Sequence, residues 1–196
     1  MKYTLLFLSF MLAIGIACKR KPESHLSEKE MIDSVYTAFR ILSDSVSGSW
    51  EKMVGDDTEK HRYMKRLLLE VSYTNLYDKE QFENLNGMID RLSAMRYDQH
   101  SMKDSELIDK YDSATFSVTS HVIQYALDHP RYDDFPLMEE LIDDINSKND
   151  MILIHRIHYD GFTMRYNDFI EKNKDWLLKS GKRVAMEPLP LFQLPG

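Results

Sequence analysis

The chain has 196 residues, 43% of them apolar and 29% charged, enough to bury a core and far too apolar for a disordered segment. A single cysteine excludes an intrachain disulfide, and seven glycines with six prolines leave few turns for a many-stranded β fold. A formal charge of −7 argues against a nucleic-acid partner, because such binders displace counterions from phosphates with a basic surface.

Lys2 precedes an uncharged, mostly apolar run over residues 3–17. As a helix that run would reach only about 22 Å, short of the roughly 30 Å hydrocarbon core of a bilayer. A cationic start, a short apolar stretch and a small-residue junction predict a secretory signal over residues 1–17, removed on export. The junction Gly15-Ile16-Ala17-Cys18 resembles a bacterial lipobox, with Gly15 where leucine is commoner. That resemblance implies thioether lipidation of Cys18, cleavage before it, and acylation of the new amino group with a palmitate-like chain. Several acyl chains on one residue anchor stably, whereas one would not. Residues 18–26 then form a tether, in which Lys19, Arg20 and Lys21 each add about 1 kcal/mol of adherence to an anionic lipid surface. By analogy with other lipoproteins, Lys19 in place of aspartate favours the outer membrane over the inner. Losing Lys2 with the signal leaves a mature chain of charge −8, so the body is acidic and held to the membrane by its first residue.

Residues 27–181 are read by their periodicity. Ser27, with Glu30 three residues on, is a capping box. Ile32, Phe39, Val46 and Met53 recur at sevens with Val35 and Leu42 between them, the stripe of a long bundle helix. Gly55-Asp56-Asp57-Thr58 offers a stop or kink, with Asp57 or Thr58 as a new cap. The second stripe is Met64, Leu68, Val71, then Phe82, Leu85, Ile89 and Leu92, and its phase lands on polar Asn75 and Asp78. Residues 58–97 are therefore one helix with a polar layer or two helices meeting near Tyr77, and the shared phase favours one. A third segment starts at residues 101–103, buries Ile108, Tyr111, Thr115, Val118, Val122 and Tyr125, and ends at His129-Pro130. Asp134-Phe135-Pro136 opens the fourth with an acidic cap and a first-turn proline. Its stripe is Met138, Ile145, Ile152, Tyr159 and Tyr166 at sevens, with Ile142, Asn149, Arg156, Thr163 and Ile170 between. Uninterrupted to a C-cap at Gly181, this helix would span about 65–70 Å. Residues 182–196, with Pro188, Pro190 and Pro195, predict an extended tail. The fold class is all-α: an elongated antiparallel bundle of about four long helices.

The fourth segment reads Asp150-x-Ile152-x-x-x-Arg156-x-x-Tyr159-Asp160-x-x-Thr163-x-x-Tyr166-Asn167-x-x-Ile170. It resembles the LemA family, whose last long helix runs E-N-x-I-x-x-x-R-x-x-Y-N-x-x-V-x-x-Y-N-x-x-I. Pro130, Phe135 and Leu141 are similar to that family's approach to the helix, and Phe39, Leu42, Val46 and Trp50 to its first-helix pattern. Glu80-Gln81-Phe82-Glu83 is similar to a further segment, so the likeness covers roughly residues 36–170. Gly55 to Arg62 replaces the family's arginine-rich turn, Asp160 stands for its first asparagine, and its F-P after the last helix is absent. The resemblance implies an envelope-associated helical bundle that works beside other membrane proteins, with no catalytic residues to transfer.

Arg156, Tyr159 and Tyr166 share one face of the fourth helix, flanked by Asp160 and Asn167. An arginine on an apolar stripe needs a partner, since an unpaired buried charge costs several kcal/mol, and Asp78, Asp90 and Glu70 are the candidates. The five residues form either a polar layer that fixes helix register or a binding groove, and the layer is the simpler reading. His155 and His158 lie one turn apart, but no H-E-x-x-H or Glu-x-x-His spacing supplies a third ligand, so no metal and no cofactor is expected. No G-x-S-x-G or glycine-rich phosphate loop points to catalysis. Asp56-Asp57, Asp133-Asp134 and Glu139-Glu140 read as solvated helix first turns. The expectation is a non-enzymatic, lipid-anchored scaffold or adaptor for an envelope protein. The alternative is a periplasmic small-ligand module using the face of Arg156, Tyr159 and Tyr166.

Overall fold

Ser27 opens the part of the protein described by a computed structural model, residues 27–192. The signal over 1–17, Cys18 and the tether to residue 26 lie outside the described residues, as do residues 193–196. Ser27 caps α1 (Glu28–Tyr73) through its hydroxyl oxygen, which accepts from the backbone of Glu30, while the Glu30 carboxylate accepts from the Ser27 N–H at 2.8 Å. The helix continues for 46 residues, about 69 Å.

No break occurs at 55–58. Asp57 and Thr58 are interior helical residues, and the Thr58 hydroxyl donates back to the Val54 carbonyl at 2.8 Å. A helical glycine costs only about 1 kcal/mol. Burial of Met53, Asp57 and Met64 on one side of the helix outweighs it.

The break comes instead at residues 74–78, where one helix was favoured. Asn75 takes a left-handed φ of 58°, a conformation asparagine tolerates better than most residues and one that closes a helix. The Thr74 hydroxyl donates to the Val71 carbonyl at 2.7 Å, and Asp78 caps α2 (Lys79–Met95) by accepting from Gln81 N–H at 3.0 Å. The two polar residues that interrupted the second stripe are thus a helix stop and a helix start.

A short 3-10 turn, Ser101–Lys103, leads into α3 (Ser105–Leu127), which stops before His129-Pro130 as predicted. Pro136, not Asp134, holds the cap position of α4 (Leu137–Lys172), and Asp134 pairs with Arg131 at 2.9 Å. Nor does α4 reach Gly181. At Asn173 the backbone N–H and the side-chain amide both donate to the Phe169 carbonyl at 3.0 Å, and the chain resumes as α5 (Lys174–Lys179). Gly181 follows with a φ of 65°, the left-handed stop that glycine supplies without strain.

Cross-helix contacts fix the directions. Lys65 meets Asp90 and Asp57 meets Arg96, so α2 runs against α1. Tyr111 meets Asp57, Thr119 meets Met64 and His129 meets Thr74, so α3 runs with α1. Lys148 meets Asp56, Tyr159 meets Trp50 and Tyr166 meets Phe39, so α4 runs against it. The result is an up-down-up-down all-α bundle, elongated because α1 and α4 outrun the other two.

That difference in length divides the interior. One core joins Met64–Val71 of α1 to Leu85–Leu92 of α2, Tyr111–Ala126 of α3 and Met138–Ile145 of α4. The other joins Val35–Met53 of α1 to Ile152–Ile170 of α4, with Leu177 and Phe192 from the C-terminal end. A charged layer lies between them.

Candidate functional site

The layer is built from consecutive turns of α1. Asp57, Lys60 and His61 follow Met53 and precede Met64 at the spacing that faces the core, and all three are buried. The Asp57 carboxylate accepts from Arg96 Nε at 2.9 Å and from the Tyr111 hydroxyl, and lies 3.7 Å from the Lys60 ammonium. Beside this group, Arg156 of α4 grips Asp112 of α3 with both terminal nitrogens, at 2.6 and 2.7 Å, and donates to the Tyr97 hydroxyl at 2.9 Å.

The partner of Arg156 is therefore none of the three carboxylates expected. Asp78 is spent as the cap of α2 and Asp90 pairs with Lys65. Two-nitrogen pairing with a carboxylate is the geometry arginine favours. Asp57 is likewise no solvated helix end: it sits mid-helix, 7% exposed.

Burial governs the protonation of the layer. It opposes the charge on Arg156, but hydrogen bonding to Asp112 and the field of Tyr97, Asp112 and Asp57 more than offset this, so its pKa stands above the ordinary arginine value. Burial pushes the Tyr97 hydroxyl up to about 12, with the nearby carboxylates adding to the rise. It also lowers Lys60, with Asp57 opposing.

His61 has a measurable consequence. Burial lowers it from 6.5 to about 4; Asp57 opposes this, and Arg96, Lys60 and Lys65 reinforce it. Between those values the unfolded chain carries a proton that the folded one refuses, so stability falls as pH drops through that window and is unaffected above it. The full shift corresponds to about 3 kcal/mol. Urea midpoints at pH 7 and at the lower edge of the window, measured for the wild type and His61→Gln, check this. The wild type is expected to lose more, since the other carboxylates titrate in both.

The remaining residues of the predicted face look the other way, onto the chain's own C-terminal segment. The Tyr166 hydroxyl donates to the Ala185 carbonyl at 2.7 Å, and the Tyr159 hydroxyl to the Pro190 carbonyl at 3.2 Å. Asn167 clamps Leu189 at two points, donating to its carbonyl and accepting from its N–H, both at 2.9 Å. Asp160 accepts from Phe192 N–H at 2.9 Å, and burial raises its carboxyl pKa despite that bond. The Phe192 ring then enters an aromatic pocket, stacked on Trp50 at 6.2 Å and edge-on to Tyr159 at 5.5 Å, with the Arg156 guanidinium 4.9 Å away. The five residues read as one polar layer or groove thus serve two purposes. Arg156 belongs to the charged layer, while Tyr159, Asp160, Tyr166 and Asn167 hold residues 185–192, the part of the tail that runs without helix.

His155 lies 3.0 Å from Asp56, which also takes Lys148 at 2.6 Å, and the His158 ring is 6.4 Å from that of His155. Among the described residues no three metal-binding side chains converge, and no helix is long and apolar enough to cross a membrane. Sequence reasoning missed Asp57, Lys60, His61, Arg96, Tyr97 and Asp112 as members of the layer. The first three carried a signal, charged residues in the core phase of α1. No protein-family model matches the chain, and no curated protein or solved structure matches it.

Proposed function

We propose that the protein is a non-catalytic helical adaptor, held to the bacterial envelope by lipid on Cys18 and docking a helix of another envelope protein on α4. The observation that carries this is an apolar stripe on the outer side of α4. Ile154, Ile157 and Met164 are 41, 52 and 55% exposed and recur at helical spacing. Gly161 lies between them with nothing within 4 Å of where a Cβ would stand, a notch that lets another backbone come close. The opposite face of α4 is buried against α1, so this helix is apolar on two sides, the pattern of one that expects a second neighbour. The likeness of Arg156 to Ile170 to the LemA signature supports the same reading, and the predicted junction at Cys18 supplies the anchor.

Photo-crosslinking from Ile157 and Met164 in intact envelopes tests it. One and the same partner protein is expected from both positions, none from Lys79, exposed on α2, and loss of the adduct in Ile157→Asp. Cys18→Ser is expected to release the protein from the membrane fraction. Adducts to lipid alone, or to a second copy of this chain, would overturn the adaptor reading.

A further inference from the structure

On the side away from Phe192 the charged layer opens into a cleft of about 230 Å³ between α1, α3 and α4. Lys60, Thr115 and Arg156 stand in its wall, with Phe116 and Leu153 among its lining residues. Phe116 is 77% exposed and Leu153 51%, so both stand at the solvent end.

Two hydrogen-bond donors in this wall have no acceptor, and an ammonium beside them is held by charge at longer range. The Lys60 side chain is 4% exposed, yet its ammonium is 3.7 Å from Asp57, beyond hydrogen-bond reach. The Thr115 hydroxyl and Nε of Arg156 are buried without a partner. Buried donors are paired as a rule, so two unpaired in one wall beside a buried ammonium mark a place for an acceptor. Charge points the same way. Arg96 and Tyr111 take up Asp57, and Arg156 takes up Asp112. Within 4 Å the three cations Lys60, Arg96 and Arg156 meet only these two carboxylates, Asp160 acting on Arg156 from farther off, so by one positive charge the cations outnumber the carboxylates they touch.

We propose that this cleft binds a small organic monocarboxylate, its carboxylate on Lys60, Thr115 and Arg156 Nε and its apolar body against Phe116 and Leu153. One surplus charge suits one negative charge. A phosphate dianion would overshoot it and face Asp57 and Asp112 in the same wall. The volume lies below the roughly 300–1,000 Å³ of drug-sized pockets, which suits a short-chain or single-ring acid. The cleft adjoins the α4 docking stripe at Leu153, but its test uses the isolated chain and small acids, so either reading can fail without the other.

Benzoate and hexanoate are the probes, titrated into the full chain in detergent and followed by calorimetry and by the NMR signal of the Lys60 ε-methylene. Saturable one-to-one binding that moves this signal is expected, with inorganic phosphate far weaker. Lys60→Met, which removes the surplus charge while keeping the length of the stem, is expected to weaken binding at least about tenfold, as is Phe116→Asp at an unchanged melting temperature. Failure of both acids to bind at about 10 mM, equal binding by Lys60→Met, or phosphate binding as tightly as benzoate would overturn the proposal. Phe116→Asp, altered only at an exposed position, decides the matter should Lys60→Met not fold.

Discussion

Asp57→Ala is expected to destabilise the protein by about 3–5 kcal/mol, because it strands buried cations rather than merely deleting a bond. Asp57 is the only carboxylate within 4 Å of Lys60 and of Arg96 among the described residues, and it also accepts from Tyr111. Without it, a lysine side chain 4% exposed must either stay charged with no carboxylate within 4 Å and Arg156 nearby, or give up its proton. Asp57→Asn keeps the shape and one acceptor, and is expected to cost less. Replacing the group as a whole, Asp57→Leu with Lys60→Met and Arg96→Leu, is expected to recover most of the loss, since well-packed apolar side chains often match a buried ion pair. Urea unfolding followed by helical circular dichroism measures all three, and recovery in the triple variant separates stranded charge from lost packing. Equal losses in Asp57→Ala and the triple variant would mean that the layer matters for its shape and not for its charge.

Why this layer escaped the sequence while the helices did not is itself physical. Apolar periodicity is a local signal, and the stripes from Phe39 to Val46 and from Ile152 to Tyr166 face the core as their spacing predicts. Helix ends are set by a few polar atoms. The capping box at Ser27 was readable from its residue types, whereas Gly181 stops a helix as read but stops α5, α4 having ended at Asn173. Asn75 and Asp78 were visible as polar residues in an apolar phase, but the same residues could have formed a buried layer, and only the turn geometry decides. Conversely, Asp57 reads as a helix stop or new cap because Gly55 stands before it, yet with Lys60 and His61 it forms the buried layer. The two assignments are exchanged for one reason: a charged residue in the core phase needs a partner, and its partners lie on other helices. Arg96 and Tyr97 follow the end of α2, Tyr111 and Asp112 lie in α3, and none of them is near α1 in sequence. The tail is a second case. Its prolines predict that Leu189-Pro190-Leu191-Phe192 is extended but not that it docks, because α4 holds its backbone and one ring alone, that of Phe192, is seated.

Phe192→Ala is expected to lose about 3–5 kcal/mol, as large as the cost of truncating an interior core aromatic, although it belongs to no helix. Phe192 is 8% exposed, between Trp50, Tyr97 and Tyr159, and leaving it out opens a void against the Arg156 guanidinium as well as against three rings. The effect is expected to be uneven along the bundle. The core of Met64, Leu85, Val122 and Met138 makes no use of the tail, whereas the core of Val46, Met53, Tyr159 and Tyr166 closes on it. Amide exchange should therefore quicken in residues 35–53 and 152–170 and stay slow in 64–71 and 118–126. Asn167→Ala, which frees Leu189 without removing an apolar ring, is expected to quicken the same residues at a smaller cost of about 1–3 kcal/mol. Uniform quickening in both cores would instead mean that the charged layer couples them into a single cooperative unit. In that event Arg156, which touches Phe192 on one side and Asp112 on the other, is the residue through which the loss of the tail would spread.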